Sequence, residues 1–113
     1  MKLYEQFLHE TSARRMMDNV NREVVNKELK LKMECYSRYI QYKSAKELAN
    51  YDLCMMRAEL RSMRNGISLA RENIKTCMDK ECKKELRIYI DKLIDFIKHR
   101  ARIYIRKKAI LLV

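Results

Sequence analysis

After Asp95 the chain carries Lys98, Arg100, Arg102, Arg106, Lys107 and Lys108 and not one acidic residue. A run of this kind is suited to binding a polyanion. On a helix, Lys98, Arg102 and Arg106 form a row with steps of about 6 Å. Cations spaced in that way can bridge successive phosphates of a nucleic-acid strand, giving binding that falls with salt and is blind to base sequence. A second, smaller set stands at Arg38, Lys43 and Lys46, around the tyrosines of YSRYIQY (Tyr36, Tyr39 and Tyr42). Aromatic rings beside cations are one route to stacking unpaired bases. Tyrosines at this spacing also suit a packed helix interface, with the ring buried and the hydroxyl wet. For the C-terminal run the competing readings are a solvated face, docking on an acidic partner, or a membrane-surface helix helped by the tail AILLV.

The cysteines are the next candidates for chemistry. Cys77 and Cys82 have four residues between them, while Cys35 and Cys54 stand apart. Structural zinc draws on repeated close pairs, and only one exists here, so no metal site is expected. On an unbroken helix, residues five apart point away from each other, which bars a Cys77–Cys82 disulfide. Cys54 and Cys77 are equidistant from Asn65 and Gly66, so a hairpin bent there would set those two side by side. Without a secretory start, the expectation is four thiols in a reducing compartment, with an oxidised Cys54–Cys77 hairpin as the alternative.

Catalysis has little support. His9 and His99 fall in no ligand spacing, and one glycine cannot build a phosphate-cradling loop. The expectation is a protein that is not an enzyme and needs no cofactor.

What must position these groups follows from composition. The chain has 113 residues with one glycine and no proline. A sheet protein of this length needs several tight turns, and those need residues with special φ, so long helices remain. The net charge of +11 attracts phosphates, anionic lipids or acidic proteins without choosing among them. No apolar run approaches the ~18 residues of a membrane span, and none follows the N-terminus as in a signal peptide. An intracellular, non-secreted protein without a transmembrane segment is therefore expected.

Along the chain, acid-to-base pairs four apart mark a solvated helical face: Glu10–Arg14, Asp18–Arg22, Glu23–Lys27, Glu28–Lys32 and Glu34–Arg38. The apolar positions Ala13, Met17, Val20, Val24, Leu31 and Cys35 keep helical spacing beside them, flanked by Val25, Leu29, Met33, Tyr36 and Ile40. Asn50 and Asp52 are the expected kink. Arg64-Asn65-Gly66 reads as a hairpin bend, with Gly66 closing one helix, Arg61 and Arg64 on its negative end, and Ser68 capping the next. A second break is expected at Thr76 to Asp79, where Asp79 can cap a helix from Lys80. Beyond it, RIYI occurs at 87–90 and again at 102–105, strand-like in composition. Yet the copies lie fifteen residues apart, near four helical turns. Ile67, Ala70, Ile74, Met78, Cys82, Leu86, Ile90, Leu93, Ile97, Ala101 and Tyr104 keep one three-four rhythm, so helix is predicted over 84–108.

The start MKLYEQFL resembles the LYR proteins, small basic three-helix mitochondrial assembly factors, at Leu3 and Tyr4. Glu5 stands where that family has arginine, so no function is carried across.

The chain thus reads as a single all-α domain over 1–113, either a long antiparallel helical hairpin or a three- or four-helix bundle. Its apolar seam, at Tyr89, Ile90, Leu93, Phe96, Ile97, Ile103 and Tyr104, is expected to pair with a second copy or another helical protein. The expected function is a non-catalytic module holding nucleic acid through backbone phosphates, with a scaffold that docks on acidic proteins as the alternative.

Overall fold

The computed structural model describes the backbone of residues 2–41 and 44–112 and the side chains of 13–41 and 44–111. These residues form three helices: α1 (Lys2–Tyr39), α2 (Ala45–Thr76) and α3 (Lys80–Leu112). They run up, down and up in a rod of 64 × 24 × 20 Å, and α2 packs against both neighbours. The all-helical expectation holds, RIYI included.

The expected bend at Gly66 is corrected: Gly66 lies inside α2 and is buried there. Among the described residues no glycine has positive φ. Its role is close approach, because a Cβ added at Gly66 would overlap Cγ2 of Val24 on α1. Gly66 belongs to a ladder of small side chains four apart on α2, namely Ala58, Ser62, Gly66 and Ala70, all buried. Such a ladder lets α1 press against the α2 backbone. Arg61 and Arg64 are therefore in mid-helix, and the Ser68 hydroxyl donates to the Arg64 carbonyl within the same helix, at 3.3 Å, rather than capping a new one.

The kink expected at Asn50 and Asp52 is also corrected. Both are helical, and the chain turns before Ser44 instead. Ser44 is the N-cap of α2, its hydroxyl accepting the Glu47 N–H at 3.2 Å. Ser44-Ala-Lys-Glu47 carries the serine-to-glutamate spacing of a capping box. That signal was present in the sequence and outweighs two helix-neutral residues further on.

The break after Thr76 does form. Cys77 leaves the helix in extended conformation, its N–H donating to the Ile74 carbonyl at 3.1 Å. Asp79 caps α3 as expected, its Oδ1 accepting the Cys82 N–H at 2.7 Å. Met78, placed in the apolar rhythm by spacing, falls in this turn and is 97% exposed.

The expected free thiols and the alternative Cys54–Cys77 bridge are both corrected. The structure holds two disulfides, Cys35–Cys54 and Cys77–Cys82, and no free thiol. On a continuous helix, Cα atoms five residues apart lie about 8.6 Å from each other, too far to bridge. With the helix broken between them, the Cα atoms of Cys77 and Cys82 come within 5.7 Å. Because the turn is not at Gly66, Cys54 meets Cys35 across α1 and α2, not Cys77. Cross-links of this kind persist in oxidising surroundings, which removes the thiol-based reason for a reducing compartment.

The core is thin. Ala13, Cys77, Cys82 and Leu86 form one cluster, with Met16, Met17 and Ile74 against it. Val20, Ile67, Ala70 and Ile90 form a second, joined by Val24, Leu93 and Ile97. Midway along the rod, Glu59 of α2 ties the three helices together. Its carboxylate accepts from Lys32 of α1 at 3.1 Å and faces Arg100 of α3 at 3.8 Å.

Candidate nucleic-acid interface

The C-terminal cations occupy the last four turns of α3, a helix held by Leu86, Ile90, Leu93 and Ile97 against its neighbours. Lys98, Arg102, Arg106, Lys107 and Lys108 are exposed. Lys108 lies over the Tyr104 ring at 6.0 Å. Arg100 behaves differently. It sits over the Phe96 ring at 5.2 Å and pairs with Glu59, so it is half-buried and partly neutralised. The structure thus leaves the row Lys98, Arg102 and Arg106 facing solvent and turns Arg100 to packing.

Arg38 at the end of α1 and Lys46 in the first turn of α2 are exposed at the same end of the rod, since α1 and α3 run parallel and α2 returns between them. Lys43 and Tyr42 lie outside the described residues. Tyr36 is exposed, whereas Tyr39 is half-buried and meets Tyr51 edge-on at 6.3 Å.

A further basic surface was missed in the sequence. Arg57, Arg61, Arg64, Arg71 and Lys75 are all exposed, and their spacing places them on one stripe of α2, opposite the buried small-residue ladder. The stripe runs about 27 Å. Lys75 pairs with Glu72 at 3.4 Å. Among the described residues Arg57, Arg61, Arg64 and Arg71 make no ion pair, nor do Arg38, Lys98, Arg102, Arg106 and Lys107. The signal was legible as i, i+4 and i, i+3 arginines, but a helix end placed at Gly66 cut it in two.

The residues expected to join copies divide. Ile90 is buried in the chain's own core, with Tyr89, Leu93 and Ile97 packed against it. Tyr89 also donates from its hydroxyl to Asn21 Oδ1. Ile103 and Tyr104 are half-buried, and Phe96 is 44% exposed. An apolar stripe is left open on α1, where Val25, Leu29, Met33, Tyr36 and Ile40 follow helical spacing with exposures from 51% to 69%.

Among the described residues two groups have displaced pKa values. Burial, aided by the nearby Asp18 carboxylate, pushes the Tyr89 phenol above its usual 10.0. Partial burial opposes the charge on Lys32, but its hydrogen bonds to Glu28 and Glu59 outweigh this and hold it above its usual 10.5. Neither shift creates a general acid or base near neutrality.

Among the described residues no helix is long and apolar enough to cross a membrane. No protein-family model matches the chain, and no curated protein or solved structure matches it either.

Proposed function

We propose that this protein is a non-catalytic helical module that holds nucleic acid through backbone phosphates, without strong base preference, as part of a larger assembly. The observation that carries this reading is the set of exposed cations that, among the described residues, pair with no carboxylate: the α2 stripe Arg57, Arg61, Arg64 and Arg71, and the α3 row Lys98, Arg102 and Arg106. Acids are not scarce on the rod. Glu28, Glu59 and Glu72 each neutralise a cation, yet the two rows remain open. Helical steps of about 6 Å put successive guanidinium groups within reach of successive phosphates. No groove-reading element is present in this reading, so discrimination comes from nucleic-acid shape.

The test is a titration of the oxidised protein with a labelled duplex and a labelled single strand across a range of salt. Log affinity is expected to fall against log salt with a slope of several, as phosphate neutralisation requires. Reversing Arg57, Arg64 and Arg71 to Glu, or Lys98, Arg102 and Arg106 to Glu, should weaken binding and flatten that slope. Absence of binding at about 50 mM salt, where phosphate contacts are strong, rejects the reading in favour of a scaffold docking on acidic protein.

A further inference from the structure

The α2 stripe runs into a cleft. Between the last two turns of α1 and the first half of α2 lies a hollow of about 380 Å³, and its rim carries Arg38, Arg57 and Arg61. Tyr39 and Tyr104 line it, and the Cys35–Cys54 disulfide forms part of its wall. Each of its three arginines is exposed and makes no ion pair among the described residues.

These features together select a ligand. The volume is in the range of small-ligand sites and suits a single nucleotide, whereas a duplex keeps its bases stacked inside and can offer the hollow only its phosphates. Guanidinium groups match phosphate oxygens through paired N–H donors. Tyr104, with Lys108 over one face, and Tyr39, edge-on to Tyr51, are the aromatic surfaces against which a base can stack, and every base has a face for this. Asn50, on the α2 side, supplies an amide for a base edge, and Glu34, on the α1 side, accepts from a base amino group or a sugar hydroxyl while repelling phosphate from its own corner.

We infer that this cleft takes one unpaired nucleotide of the bound strand, so that the protein prefers single strands to blunt duplex. The inference rests on the phosphate-binding reading above and narrows it to a class of substrate. The Cys35–Cys54 bond holds the two walls of the cleft together, so the preference belongs to the oxidised protein.

Fluorescence anisotropy with a labelled single strand and the blunt duplex of the same sequence, at one salt concentration, tests this directly. The single strand is expected to bind about tenfold tighter, the scale of one stacked base. Tyr104→Leu keeps an apolar side chain and removes the ring. It should abolish most of the preference for the single strand while leaving the helical circular dichroism unchanged, and Tyr104→Phe should restore the preference. Equal binding of both nucleic acids by the unaltered protein, or a full preference retained by Tyr104→Leu, overturns the cleft assignment and leaves the phosphate reading standing. Binding to neither overturns both.

Discussion

Gly66 shows how one side chain, or its lack, sets the packing of a whole helix pair. A mid-helix glycine costs about 1 kcal/mol relative to alanine, so Gly66→Ala would stabilise an isolated α2. In the bundle the new methyl meets Cγ2 of Val24, a β-branched side chain with little rotamer freedom. The overlap is expected to win, with a net loss of about 1–2 kcal/mol in urea unfolding. Adding Val24→Ala should recover part of that loss, so the double-mutant cycle should show coupling of about 1 kcal/mol. Tyr89 makes a second prediction at this level. Its phenol is held neutral by burial and by Asp18, so the folded protein keeps that proton to higher pH than the unfolded chain does. Lys32 likewise keeps its proton longer when folded. Both contributions are fully present below about pH 10 and are lost as the pH rises beyond it. Unfolding followed between pH 8 and 11 should show stability falling from about pH 10, and less steeply in Tyr89→Phe.

Helix boundaries decided what could be foreseen. The α3 rhythm from Cys82 through Leu86, Ile90, Leu93 and Ile97 is an inward face, as spacing predicts, and Asp79 caps it. Periodicity and capping are local, so they can be read directly. A glycine that ends a helix and a glycine that admits a neighbouring helix look alike in one dimension. Only Val24, 42 positions earlier in the chain, distinguishes them. A helix end placed at Gly66 also misdirects the expected cysteine pairing and splits the α2 arginine stripe. The Cys35–Cys54 bond spans a separation of 19 residues across the α1–α2 turn. By the chain-entropy argument its loss costs about 3 kcal/mol. Cys35→Ser with Cys54→Ser should therefore lower the urea midpoint and the melting temperature markedly, with helix content at low temperature unchanged.

The molecule as a whole is a rod whose radius of gyration is 18.2 Å, against the ~13 Å of a compact domain of this length. A shape so drawn out buries little, and its core depends on small residues and two cross-links. The α1 stripe of Val25, Leu29, Met33, Tyr36 and Ile40 is the surface through which the proposed assembly would gain burial. Charge opposes self-association, since each copy carries +11. Salt screens that repulsion while leaving apolar contact intact. The mass measured by sedimentation should therefore rise as salt is raised, the opposite of the trend proposed for nucleic-acid affinity. Leu29→Lys with Met33→Lys should hold the protein monomeric at every salt concentration. A monomer throughout for the unaltered chain would assign the stripe to a different protein.

One more property follows from where the bridges lie. Lys46 sits between Cys35 and Cys54, and Lys80 between Cys77 and Cys82. A trypsin nick at either lysine severs the polypeptide without parting its pieces, which would migrate as one band on a gel until a reductant is added. Hydrolysis at the two places where the chain changes direction would leave a clipped but undivided particle.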